Sequence, residues 1–297
     1  MQDSLPKRVL GRTGLEVTQL GFGGAERGLS NDTEADPRAE SILNAVLDAG
    51  INLIDTAPDY GANEERIGKY ISHRREEFYL ATKCGCNIDP EGKGLEPGHL
   101  WTADRVRRNV EHSLRRLKTD HVDLLQMHNP SVEEVERGGL VQVLEEIRQA
   151  GKTRFIGVSS TAPQLMRFVE MGVFDTFQVP YSALERRHEQ MIQQAADAGA
   201  GIVIRGGIGV GHRGGDELWA KWNRARLDEI ADGMGRYEFV LRFTLTHPSC
   251  HTTIVGTQDP EHLSANVAAA KAGPLSPEVY RQAQDRLAGI GEDSEGL

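Results

Sequence analysis

Short apolar runs and longer amphipathic stretches take turns along this chain. The runs are Leu20–Gly23, Asn52–Ile54, Phe78–Thr82, Val122–Met127, Phe155–Val158, Phe177–Val179, Gly201–Ile204 and Thr252–Val255. None keeps the strict alternation of a half-solvated strand, which predicts strands buried on both faces and paired in parallel. Between them, apolar residues at helical spacing predict helices over Pro37–Ala49, Glu64–Ile71, Ala103–Leu117, Leu140–Ala150, Pro163–Glu170, Glu185–Ala198, Tyr237–Thr246 and Pro260–Ala270. Eight strands alternating with helices predict an α/β protein built as a (β/α)8 TIM barrel rather than an open sheet. Ahead of them, Arg8–Leu10 and Leu15–Leu20 flank the turn Gly11–Gly14 and predict an N-terminal β-hairpin cap.

The residues at the helix ends agree with this division. Gly50, Gly151, Gly172 and Gly199 each follow a predicted helix, where a left-handed C-terminal cap favours glycine. Pro163 and Pro260 fall at first helical turns, where the missing N–H is harmless. No low-complexity linker divides the chain, so residues 1–297 are expected to form one barrel domain with a frayed polar tail over Gly289–Leu297. Two connections are long, Cys84–Thr102 and Gly206–Arg236. Both follow strands and so belong to the C-terminal mouth, where barrel active sites lie. Trp101, Trp219 and Trp222 lie in or beside them and are read as packing the loops down.

Composition narrows the partners. With 34 basic and 44 acidic residues the formal net charge is −10, and there is no basic cluster, so neither nucleic acid nor an anionic membrane is an expected partner. An anionic cofactor would therefore need local cations or backbone donors. Residues Met1–Leu10 lack the apolar core of a signal peptide, and no run approaches membrane-spanning length, so a cytoplasmic location is expected. Cys84, Cys86 and Cys250 cannot form an even disulfide framework and are read as reduced thiols. Two cysteines at i and i+2 are too few ligands for zinc without partners. The histidines show no HxH or HExxH spacing, which argues against a metallohydrolase barrel; no metal ligand is assigned.

Four polar residues stand at or just beyond predicted strand ends: Asp55, Tyr60, Lys83 and His128. Neighbouring strand ends share one mouth in a barrel, so these four are expected to converge. A tyrosine ionises near ~10, too high for efficient proton donation at neutral pH. Lys83 beside Tyr60 would lower that value, Asp55 would keep Lys83 charged and oriented, and His128 would hydrogen-bond a substrate oxygen. Taken singly, each residue has a plainer reading: a cap, a rim aromatic, a solvated strand end, a satisfied core histidine. The joint pattern is what points to chemistry.

The motifs LGFGG at Leu20–Gly24, IDTAPDYGANEERIGKYI at Ile54–Ile71, LATKCG at Leu80–Gly85, DLLQMH at Asp123–His128, GKTRFIGVSS at Gly151–Ser160 and QVPYSAL at Gln178–Leu184 resemble those of the aldo-keto reductases. The resemblance runs in order from about Arg8 to Asn266. It implies a (β/α)8 barrel, reduction of an aldehyde or ketone by hydride from NADPH, and a tetrad of Asp55, Tyr60, Lys83 and His128 with Tyr60 as proton donor. It also implies cofactor contacts from Gly23, Gly24, Asp55, Ser159, Ser160, Gln178, Arg205, Gly206, Gly256, Thr257, Gln258, His262 and Asn266. Five positions depart from the family's pattern. Ser160 replaces an asparagine, and Arg205 replaces an aromatic residue that stacks on nicotinamide. Gly256 and His262 stand where cations bind the adenosine 2′-phosphate, and Ala265 replaces an acid that contacts adenine. NADPH is the cofactor the resemblance implies, and these departures leave NADH open. The expected partner is a small carbonyl compound or sugar; the oligomeric state is unreadable. The same site run backwards would be a sugar or alcohol dehydrogenase, and a cofactor-sensing barrel subunit without turnover is the alternative outside enzymes.

Overall fold

A computed structural model describes residues 4–25, 36–88, 94–209 and 215–291. Eight parallel strands close into a barrel. In order round the barrel they are β3 (Leu20–Gly23), β4 (Leu53–Asp55), β5 (Tyr79–Cys84), β8 (Val122–His128), β9 (Thr153–Ser159), β10 (Thr176–Pro180), β11 (Gly201–Arg205) and β12 (Thr252–Val255). These are the eight strands expected from the apolar runs, shifted at their ends by two residues at most. The surrounding helices are α1 (Asp36–Asp48), α2 (Asn63–Tyr70), α3 (Ala103–Leu117), α5 (Leu140–Gln149), α6 (Gln164–Glu170), α7 (Glu189–Asp197), α9 (Arg236–Thr246) and α10 (Pro260–Ala272). Gly50, Gly151, Gly172 and Gly199 all take positive φ after a helix, between +69° and +86°, as a left-handed cap demands.

The N-terminal hairpin is present as β1 (Lys7–Val9) and β2 (Glu16–Thr18), paired antiparallel with Lys7 opposite Thr18. It closes the bottom of the barrel. Leu10, Leu15 and Val17 pack against Leu53, Ala81, Leu124, Val203 and Ile254 from five barrel strands. Arg8 ties the hairpin down by donating to the carbonyls of His247, Pro248 and Cys250. Gly11 passes so close to the Ala200–Gly201 backbone that a Cβ would come within 2.3 Å of the Gly201 nitrogen. With the bottom plugged and the interior filled, the usable face is the opposite one, at the strand C-termini.

Several expectations change. The connection over Cys84–Thr102 is not irregular: β6 (Cys86–Ile88) and β7 (Gly94–His99) form a second antiparallel hairpin. Glycine and proline in β7 hid it from the sequence pattern. The connection over Gly206–Arg236 carries α8 (Gly215–Arg224) and a 3-10 turn; residues 210–214 lie outside the described residues. Trp222 there is buried edge-on against Phe239, and Trp219 packs edge-on to Tyr237, so both hold the segment down. Pro163 is the residue before α6 rather than its first turn. Helix α7 begins at Glu189, because Ser182 and Glu185 first exchange backbone hydrogen bonds in a tight turn.

Arg186 correspondingly lies ahead of the helix rather than on it. It is buried, forks onto Glu189 at 2.6 and 2.8 Å, and donates to the carbonyl of Gln284. That contact ties α11 (Pro277–Ala288), a helix the apolar spacing did not reveal, to the barrel wall. Ser276 caps α11 and Pro277 opens it, so its start was signalled by capping residues. So was that of α4 (Val132–Arg137), where Ser131 and Glu134 form a capping box. The tail expected over Gly289–Leu297 lies, from residue 292 on, outside the described residues.

Candidate active site

The strand registers bring the candidate residues to one rim. Gly23 lies opposite Asp55, Asp55 opposite Ala81, and Lys83 opposite Gln126. His128 lies opposite Ser159, Ser159 opposite Gln178, and Pro180 opposite Arg205. Tyr60 follows β4 on a turn closed by its own N–H to the Ala57 carbonyl at 3.1 Å.

Lys83 is wholly buried and donates to Asp55 Oδ2 at 2.6 Å and to the Thr56 carbonyl at 2.9 Å. Burial opposes its charge, but the Asp55 carboxylate and the Tyr60 oxygen outweigh it and raise the ammonium's pKa above the ordinary lysine value. The ammonium also lies over the Tyr60 ring, 4.7 Å from its centroid. His128 meets that ring edge-on, with centroids 5.8 Å apart. Asp55, Tyr60, Lys83 and His128 therefore do converge.

One electrostatic expectation is corrected. Lys83 pulls the Tyr60 pKa down, but burial of the phenol, together with the charges of Asp55 and Asp59, pushes it the other way and prevails. The net shift is upward. In this state Tyr60 holds its proton at neutral pH.

Asp55 carries more partners than its pairing with Lys83. Its Oδ1 accepts from Gln178 Nε2 at 2.7 Å and from Gln126 Nε2 at 3.0 Å. Gln178 in turn accepts at Oε1 from Ser159 Oγ at 3.3 Å. Gln126 was not among the sequence candidates. Its signal was a lone amide inside the apolar strand DLLQMH, a buried polar group that has to find a partner.

The cofactor candidates fall into two groups. Gly23, Gly24, Ser159, Ser160, Gln178, Arg205 and Gly206 stand at or just past strand ends around the tetrad; the Gly24 N–H donates to the Asp55 carbonyl at 2.8 Å. Arg205 ends β11 half-buried, and burial lowers its pKa although Glu185, Tyr60 and Asp55 favour its charge. It makes no ion pair among the described residues. Gly256, Thr257 and Gln258 follow β12 and lead into α10, which carries His262 and Asn266 one turn apart. The opening of α10 is already occupied: Asp259 Oδ1 accepts from the Glu261 N–H at 2.8 Å, and His262 is exposed 3.9 Å from Asp259. Two acids in this turn weaken the site as a phosphate cradle.

Three further polar side chains crowd the tetrad on the side of β6 and β7. Asp59 Oδ2 is 3.5 Å from His128 Nδ1 and 3.7 Å from His99 Nε2. Partial burial opposes ionisation of Asp59, but its hydrogen bond to His128 and the charges of His128, His99 and Lys83 hold its pKa down at about 2. Cys86 Sγ is 3.5 Å from the same His128 nitrogen, and burial pushes its thiol pKa well up. None of Asp59, Cys86 and His99 was a sequence candidate, because they come from three different segments.

The sequence profile of the Aldo/keto reductase family matches residues 19–287. The chain belongs to that family. Among its relatives, the uncharacterized oxidoreductase YqkF of Bacillus subtilis is 28% identical, with 94% of this chain and 95% of that protein covered. The L-galactose dehydrogenase of Arabidopsis thaliana is 27% identical, covering 88% and 87%. Among solved structures, the holo form of aldo-keto reductase AKR11C1 from Bacillus halodurans superposes with a TM-score of 0.84 at 28% identity, covering 95% and 96% of the two chains. The barrel and an oxidoreductase of the aldo/keto reductase family are thereby shown. No helix among the described residues is long and apolar enough to cross a membrane.

Proposed function

We propose that the protein reduces an aldehyde or ketone, a small carbonyl compound or sugar, with Tyr60 as proton donor and a nicotinamide nucleotide as hydride source. The observation that carries this reading is the buried Lys83, fixed by Asp55 at 2.6 Å beneath the Tyr60 ring. Such an arrangement has little use in a purely structural core, where a buried ion pair gains no more than well-packed apolar residues. A reduced nicotinamide bound at the mouth supplies the hydride. Ser159, Ser160 and Gln178 would hold its carboxamide, Arg205 would lie against its ring, and the β12–α10 turn would receive the adenosine end. The Arg205 guanidinium, with no ion pair among the described residues, fits an anionic nucleotide in a chain of net charge −10.

In this reading His128 orients the carbonyl oxygen beside the Tyr60 hydroxyl. The Tyr60 proton passes to that oxygen as negative charge develops on it, and the Lys83 ammonium stabilises the tyrosinate left behind. Solvent then returns the proton. Tyr60 enters the cycle protonated, as a donor must, although its raised pKa makes it the weaker acid, and the Lys83 charge is what opposes that rise.

NADPH is the family's expectation. Asp259, Glu261 and the absent cation at Gly256 reduce what a 2′-phosphate gains here, so we propose that NADH serves alongside it. The L-galactose dehydrogenase relative favours a second reading of the same site, oxidation of a sugar hydroxyl in the reverse direction. The test follows nicotinamide absorbance with NADH and NADPH separately, against aldehydes, ketones and quinones, and with the oxidised nucleotides against sugars. Turnover in the first set supports the reductase, and turnover only in the second supports the dehydrogenase. Nucleotide binding with neither points to a cofactor sensor.

A further inference from the structure

We propose that Asp59, Cys86, His99 and His128 form a binding site for one zinc ion at the rim of the barrel mouth. Their donor atoms all lie within 4.8 Å of one another. Three edges of this cluster measure 3.5 Å from Cys86 Sγ to His128 Nδ1, 3.5 Å from His128 Nδ1 to Asp59 Oδ2, and 3.7 Å from His99 Nε2 to Asp59 Oδ2. A tetrahedral zinc with ordinary bond lengths separates neighbouring ligand atoms by roughly 3.4–3.6 Å. These three edges therefore match a coordination sphere to within about 0.2 Å.

The supports of these side chains are rigid. Cys86 and His99 are direct cross-strand partners in the β6–β7 hairpin. Asn109 of α3 clamps the hairpin, accepting from the Gly85 N–H at 2.9 Å and donating to the Cys86 carbonyl at 3.2 Å. The His99 ring stacks on Trp101, and the His128 ring meets it edge-on at 4.6 Å. Independently of the spacing, His99 Nε2 is sealed from solvent and has no hydrogen-bond partner among the described residues, although it points into the cluster. A buried ring nitrogen left without a partner is costly, and a metal ion would satisfy it.

The donor set selects the ion. One thiolate, two imidazoles and one carboxylate suit zinc and discriminate against magnesium and calcium, which prefer all-oxygen spheres. On binding, the Zn–S bond forms as the Cys86 thiol gives its proton to solvent. The resulting thiolate and the Asp59 carboxylate then balance the two positive charges, so the loaded site is neutral beside Lys83. Zinc on Nδ1 leaves Nε2 of His128 facing away from the metal and carrying the ring's remaining proton. The site joins four residues from four segments with no recognisable spacing, which is why motif reading passes over it.

The experiment reads metal, not turnover, and is therefore independent of the proposed reaction. Chelator-treated full-length protein is dialysed against zinc and its metal content measured, then titrated with cobalt(II) to look for a thiolate-to-cobalt charge-transfer band. One zinc per chain and a thiolate band are expected in the native protein and in the control Cys250→Ser. Cys86→Ser should abolish the band, and Cys86→Ser and His99→Asn should each weaken zinc binding by more than the roughly 10- to 100-fold that outer-shell changes cost. Circular dichroism of each variant separates loss of ligand from loss of fold. A folded native protein that takes up no stoichiometric zinc, or a band that survives in folded Cys86→Ser, overturns the assignment.

Discussion

The Lys83 ammonium donates to Asp55 at 2.6 Å while having no exposure to solvent. A charge so placed exists only because its counter-charge is fixed, and Asp55 is fixed in turn by amides from Gln126 and Gln178. The tetrad is thus the mouth-side end of a hydrogen-bonded network reaching into the barrel interior.

Tyr60→Phe removes the proposed proton donor and leaves that network intact. The expected outcome is a loss of about 10²- to 10⁴-fold in kcat, with nucleotide affinity and the urea midpoint nearly unchanged. Steady-state kinetics beside a fluorescence titration of nucleotide decide it. Retained turnover would remove Tyr60 from the role.

Lys83→Met should act on activity and on stability. It leaves the Asp55 carboxylate buried without its cation, a change that costs about 3–5 kcal/mol when one partner of a buried pair is lost. The two amides on Asp55 moderate this cost, so the lower end of that range is expected. Denaturation midpoints separate this variant from Tyr60→Phe, and a variant as stable as the native chain would contradict the buried-pair account.

How far the sequence carried this picture depended on whether a feature was local. Strand runs such as Val122–Met127 are read from consecutive residues, and the structure shows Val122–His128. Asp55, Lys83 and His128 were legible because strand ends in a barrel share one rim, so position in the chain fixes position in space. The hairpin at Cys86–His99 was not legible: the pairing of Cys86 with His99 spans a turn whose strands lack an apolar alternation. The burial of Arg186 was not legible for a related reason, since its partner Gln284 is 98 residues away on a helix the apolar spacing did not show. The direction of the Tyr60 pKa failed on magnitude rather than on contacts, because burial is invisible in a list of charged neighbours.

Arg205 places a guanidinium where an oxidised nicotinamide would bring a second positive charge. Two such charges at about 4 Å repel by roughly 1–4 kcal/mol, depending on how much water screens them. Reduced nucleotide is expected to bind at least about fivefold more tightly than oxidised, a preference that Arg205→Tyr should erase. Paired affinity measurements on both proteins test it, and an unchanged ratio in the variant removes Arg205 from this role.

Selectivity between NADPH and NADH should be weak, because Asp259 and Glu261 occupy the turn that would face a 2′-phosphate. A kcat/KM ratio below about tenfold is expected. Gly256→Arg would add one charge-assisted contact, which adds about 1.5–3 kcal/mol and would raise the preference for NADPH by roughly 10- to 100-fold. A native protein already strongly selective for NADPH would show that other residues bind the phosphate.

Acid should weaken the fold through His188, which is buried and accepts the Ala162 N–H at Nε2, 3.1 Å away. Burial, with the charges of Arg187 and Arg205, lowers its pKa from 6.5 to about 4. Between those values the unfolded chain binds a proton that the folded chain refuses. The stability due to neutral His188 is therefore fully present above about pH 6.5 and is lost as the pH falls toward 4, on the order of 3 kcal/mol across the window. His188→Gln keeps an acceptor for the Ala162 N–H but cannot titrate. Urea midpoints at about pH 7 and pH 4.5 should fall less in this variant than in the native protein. Equal falls would mean that the acid sensitivity belongs to other groups, among them His251, whose pKa burial also lowers to about 4, and the carboxylates.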